Sequence, residues 1–153
     1  MSRRLPTNAR LIIAAALLVA SAGCGSDSPT QPDALTIAAS TFGGASADPA
    51  ASDIASPIAG TAAGTIRVTG TIRLPAPCYD VSARVESSNG FVMLQVTGEQ
   101  RTGGCAAQVT AVSYDILIAG SSAGRHSVSV RHTVEAGLVA TTNDVALLDV
   151  VVK

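Results

Sequence analysis

At 153 residues and a formal net charge of −1, the chain is sized for one domain. Phe42, Phe91, Tyr79 and Tyr114 are all its aromatics and it has no Trp, so a core must be built from Val, Ile, Leu and Ala. Beyond Arg10, eleven acidic residues face seven basic ones with no basic cluster to track a phosphate backbone, which excludes nucleic acid as an expected partner.

Taken in chain order, the first feature is an export segment. Arg3, Arg4 and Arg10 flank or precede residues 11–20, an apolar run of ten. A membrane-crossing helix needs about 20 apolar residues, so ten behind a basic start reads as the hydrophobic stretch of a signal peptide. The run leads into Ser21-Ala22-Gly23-Cys24. This tetrapeptide resembles the lipobox of bacterial lipoproteins, in which small residues precede a Cys; Ser21 stands where Leu is usual. The resemblance implies a signal peptide over 1–23, diacylglyceryl transfer to the Cys24 thiol, cleavage before Cys24 and acylation of the new terminus. Each buried methylene contributes about 0.8 kcal/mol, so two or three acyl chains hold a protein on a bilayer where one does not. The bilayer is therefore the expected partner of Cys24. In lipoproteins of two-membrane bacteria, Asp directly after the lipidated Cys marks retention at the inner membrane. Gly25 stands there instead, so the expected location is the cell envelope, at the outer membrane.

Residues 24–62 are dominated by Ala, Ser, Thr, Gly, Pro and Asp, and Pro29, Pro32, Pro49 and Pro57 interrupt regular structure. Such a segment buries too little apolar surface to offset its ordering entropy. It is assigned to a flexible tether, roughly 35 Å end to end as a coil. One exception lies in residues 34–42, where Leu35, Ile37 and Phe42 offer an apolar set able to dock as an edge strand.

From Gly64 onward the apolar period becomes two. Ile66, Val68, Ile72 and Leu74 share one face of a first strand, which Pro75 and Pro77 end. Tyr79, Val81, Ala83 and Val85 define a second. Ser88-Asn89-Gly90 supplies a hairpin turn, because Asn and Gly accept positive φ. Val92, Leu94 and Val96 mark a third, with both faces expected to be buried because Phe91 and Met93 are also apolar. Residues 105–118 change parity near Ala111-Val112, which predicts a bulge or a change of sheet. After a Gly120–Gly124 turn, His126, Val128, Val130, His132 and Val134 share a face. Residues 145–152 are nearly continuously apolar and read as a central strand. Six or seven short strands in residues 63–153 predict an all-β domain, a small antiparallel β-sandwich. The turn at 120–124 and the G-x-H-x-V-x-V run from Gly124 to Val130 resemble the turn-to-strand edge of small immunoglobulin-like exported bacterial domains. That resemblance implies an immunoglobulin-like layout and carries no activity.

Motifs that carry chemistry are few. With Cys24 lipidated, Cys78 and Cys105 remain as an even pair in an oxidising compartment, where a disulfide is the default. Two thiols without a C-x-x-C or H-x-H companion are too few for structural zinc, and 26 intervening residues do not make a redox motif. His126 and His132 lie about 20 Å apart along one strand, too far to share a metal, and read as surface or half-buried strand histidines. Gly120-Ser121-Ser122-Ala123-Gly124 matches G-x-S-x-G by letter, but a nucleophile elbow needs a helix after the turn and a strand is expected here. No phosphate-binding or calcium-binding loop occurs. The expectation is therefore no enzymatic activity and no cofactor. It is a lipid-anchored envelope protein with a binding or structural β-sandwich. The alternative is an exported protease inhibitor or accessory protein acting through loops 75–77 or 103–104.

Overall fold

A computed structural model describes residues 34–48, 50 and 52–153; the export segment and Cys24 lie outside the described residues. Among the described residues there are nine strands: β1 (Thr36–Phe42), β2 (Ser46–Ala47), β3 (Ile54–Ala59), β4 (Thr65–Leu74), β5 (Tyr79–Ser88), β6 (Phe91–Gln100), β7 (Thr110–Ala119), β8 (Gly124–Ala136) and β9 (Val139–Val152). They form two packed sheets, a small all-β sandwich. One sheet runs β1-β7-β4-β3, with the short β2 also on β7, and the other runs β5-β6-β8-β9.

Period two builds the core directly. Ile66, Val68, Ile72 and Leu74 of β4 and Val112, Tyr114, Ile116 and Ile118 of β7 point inward from one sheet. Val92, Leu94 and Val96 of β6 and Val128 and Val130 of β8 meet them from the other. Aliphatic side chains of similar size interdigitate where an aromatic-rich sequence would use rings. The β5–β6 hairpin closes through Asn89 (φ 49°) and Gly90 (φ 78°), the left-handed pair that a two-residue turn requires.

The flexible-tether expectation over 24–62 is corrected by the sheet itself. β1 pairs with β7, from Thr36 opposite Ala119 to Phe42 opposite Tyr114. β3 pairs with β4, from Ile54 opposite Thr71 to Ala59 opposite Ile66. The domain thus takes in the described residues from 34 onward rather than starting at 63, and residues 24–33 of the expected tether lie outside the described residues. Composition misled because an edge strand needs few buried side chains: β1 and the residue before it seat only Leu35, Ile37 and Phe42 against the core, and the β1 backbone is satisfied by β7. Pro57 does not break β3, because an edge strand can leave one side of its ladder unpaired.

Three local expectations also change. The parity change near Ala111-Val112 is not a bulge. The β4–β7 register is unbroken from Thr65 opposite Ala119 to Leu74 opposite Thr110, and the strand begins at Thr110, so Ala107 and Val109 precede it. Register shifts fall instead in β1 between Ile37 and Ala39 and between β8 and β9 at Val130/Arg131. β6 is not buried on both faces, since Phe91 is 41% exposed and Met93 half-buried opposite the inward valines. Finally, β9 is an edge strand rather than a central one, and its outward Leu147 and Val151 are exposed. Every strand pairing is antiparallel except β6 with β8, which is parallel from Phe91 opposite Ser127 to Glu99 opposite Glu135. The chain between them crosses to the other sheet to make β7, so β8 returns in the same direction as β6.

Candidate functional site

Histidine at position 132 shares its inward face with Val128 and Val130, so the strand carries it into the core, where it is 1% exposed. A buried imidazole must find partners for both nitrogens. Nδ1 lies 2.9 Å from Asp53 Oδ1. Nε2 lies 2.9 Å from the Tyr114 hydroxyl. The two rings meet edge to face at 81° with centroids 5.6 Å apart. Asp53 Oδ1 also accepts the Arg73 backbone N–H at 2.9 Å, and the Tyr114 hydroxyl lies 3.4 Å from the Ile54 carbonyl oxygen. The chain Asp53–His132–Tyr114 therefore crosses the sandwich, joining β8 of one sheet to β7 and the start of β3 in the other.

The proton positions follow from acceptor chemistry. A carboxylate oxygen only accepts, so Nδ1 carries the hydrogen and bare Nε2 accepts from the Tyr114 hydroxyl. Burial lowers the His132 pKa from its ordinary value, against the opposing hydrogen bond and charge of Asp53, and favours this neutral form. Burial, then the Asp53 charge, pushes the Tyr114 phenol well above its ordinary value, so it stays protonated. Space for the phenol comes from Gly70 opposite it on β4: a Cβ there would overlap the Tyr114 oxygen and ring. A glycine inside a strand marks such a close approach.

Chemically the arrangement is a closed relay. Tyr114 is 3% exposed and its hydroxyl is fully engaged, so the relay's terminal oxygen is a phenol inside the core, not a nucleophile at a surface. Comparison with protein-family models, curated proteins and solved structures finds no match to the chain. The site has to be read from its own geometry.

Two other places bear on function. At one end of the sandwich, Leu35, Phe91, Gly120, Ser121, Ser122 and His126 line a cleft of about 160 Å³ with the β5–β6 turn. His126 is 7% exposed and its Nε2 lies 2.7 Å from the Ser122 carbonyl oxygen. The G-x-S-x-G letters thus bring histidine to a backbone carbonyl, not to a serine hydroxyl, and a strand follows the turn. Ser121 Oγ is buried with no hydrogen-bond partner among the described residues. Both histidines are buried, which corrects the surface or half-buried expectation; their valine-rich parity already placed them inward.

At the opposite end, Cys78 and Cys105 form a disulfide with Cα atoms 6.0 Å apart across 27 residues of sequence. Cys78 immediately precedes β5 in one sheet, and Cys105 lies in the loop ahead of β7 in the other. The Arg101 N–H donates to the Cys78 carbonyl at 2.9 Å, and the Thr110 hydroxyl donates to the Ala76 carbonyl at 3.1 Å. The expected pair is brought together, while Cys24 lies outside the described residues. Sequence reasoning missed Asp53, which sat in the supposed tether. It also missed the Tyr114–His132 contact, although two polar rings on inward parities of facing strands were a usable signal.

Proposed function

We propose that the chain is an exported, lipid-anchored envelope protein whose β-sandwich has a non-enzymatic binding or structural role. The observation that carries this reading is the Cys78–Cys105 disulfide. Such bonds persist in oxidising compartments, which is where a signal segment ending before Cys24 would deliver the domain. The Asp53–His132–Tyr114 relay supports the non-enzymatic part, because its hydrogen bonds are spent on joining the two sheets. Acylation of Cys24 places the domain on a membrane, at the outer membrane in a two-membrane cell given Gly25.

The alternative, a protease inhibitor or accessory protein acting through loops, is favoured by one feature. Loop 101–109 is exposed at Arg101, Gly103 and Gly104 yet rooted by the disulfide and by Arg101 on Cys78, the rigid presentation an inhibitory loop needs.

The test of anchoring is Cys24→Ser in cells, followed by membrane fractionation and intact mass. Loss of membrane association and of the acyl mass is expected; unchanged fractionation with normal cleavage overturns the reading. Affinity capture with the mature domain separates the two roles: a bound protease released by altering residues 103–104 selects the alternative.

A further inference from the structure

The sandwich has two unlike ends. The chain enters at one of them: the backbone of Ala34 and Leu35 lies against Gly120. The Gly64 N–H donates to the Lys153 carbonyl, and the Ser121 N–H donates to the Gly64 carbonyl, each at 3.0 Å. Loop 60–64, the β5–β6 turn, the β7–β8 loop and the end of β9 therefore gather around residue 34. Residues 60–64, 87–90, 120–125 and 151–153 hold Arg125 and Lys153 and no acidic residue, and Arg125 reaches Asp149 of β9, two residues before Val151, at 3.2 Å. Phe91 (41% exposed) and Val151 (59%) add apolar surface to the same end, beside the cleft that Leu35 and Phe91 line. The far end is different. It carries the disulfide and the acidic residues Asp48, Asp80, Glu99 and Glu135 at or near the strand ends, against the basic Arg73 and Arg101, the latter paired with Asp80, and its β8–β9 turn exposes Leu138 and Val139.

Nine residues separate Cys24 from Ala34. Fully extended, those ten steps reach about 35 Å, close to the length of a ten-residue strand of the sandwich, about 33 Å. From this we infer that the domain rests on the bilayer by the end at which the chain enters, with Phe91 and Val151 at the headgroup level and Arg125 and Lys153 toward anionic lipid. The inference rests on the proposed acylation of Cys24. Apolar side chains flanked by long basic ones suit an interface that is apolar below and negatively charged above, whereas the acidic end is repelled by it. The loop bearing Cys105 then points away from the membrane.

The absence of Trp makes a single introduced Trp an unambiguous reporter. Full-length mature protein carrying Phe91→Trp, Val151→Trp or Leu138→Trp is reconstituted into phosphatidylethanolamine–phosphatidylglycerol vesicles containing brominated lipid. Leu138, fully exposed at the far end, is the control. Intact mass and vesicle flotation establish acylation before any fluorescence is read, so that failure of anchoring is seen separately from failure of orientation. Several-fold stronger quenching at positions 91 and 151 than at 138 is expected, and it should weaken when Arg125→Glu and Lys153→Glu are combined. Equal quenching at all three positions in floated protein, or stronger quenching at 138, overturns the orientation. So does a Trp at 91 that is shielded but unquenched, the result a second copy covering this end would give.

Discussion

His132 is a base held neutral inside a core, and its charge state links the relay to pH. Burial lowers its pKa in the folded chain, while the unfolded chain keeps an ordinary value near 6.5. The unfolded state then binds more protons as pH falls through about 6.5 toward the lowered folded value, so stability is full above that window and declines within it. Denaturation midpoints should fall between neutral pH and the mildly acidic range, and His132→Asn should flatten that dependence. A midpoint that rises with acidification would show that the Asp53 partner outweighs burial. Protonation need not break the relay. A charged His132 would donate from Nε2, leaving the Tyr114 proton for the Ile54 carbonyl oxygen at 3.4 Å. Tyr114→Phe removes this partner and leaves a buried nitrogen unsatisfied, at a cost of about 1–3 kcal/mol. Gly70→Ala should cost at least as much by displacing the phenol, and it should do so without changing the chemical groups of the relay. Both are checked by urea denaturation of the oxidised protein.

Among elements, the strands from β4 onward were legible because each has a face buried by a facing sheet, and period two records that burial. β1 and β3 were not, because they sit at the two edges of one sheet and are held largely by backbone pairing, which leaves no mark on composition. The relay was half legible: the parities of Tyr114 and His132 put both in the core, but Asp53 precedes a strand hidden in Ala- and Pro-rich sequence. Deletion separates the two descriptions of this region. Removing residues 25–33 should leave thermal stability unchanged, whereas removing 25–62 strips β1 to β3 and Asp53 and should prevent stable folding. Limited proteolysis should likewise release a resistant fragment starting near residue 34. At the other end of the sandwich, the disulfide closes a loop of about 27 residues, which contributes about 3.5 kcal/mol in the loop-entropy account. Cys78→Ser with Cys105→Ser should lower the unfolding free energy by about that amount in chemical denaturation, while β5 keeps its pairing with β6 and β7 its pairing with β4.

At the level of the whole molecule, two sheets with few aromatics are joined at three heights: by the disulfide at one end, by the relay within, and by the Gly64–Ser121–Lys153 backbone contacts at the other. The pairing of β1 with β7 has a consequence in time. Thr36 meets Ala119, so the first strand has no partner until the seventh has emerged and folded. Closing so long a segment is slow relative to forming a neighbouring hairpin such as β5–β6. A chain delivered from its N-terminal side would therefore hold β1 unpaired while β4 to β9 assemble, with the flank of β7 open. During that interval any other extended segment, including β1 of a second copy, competes for the vacant flank.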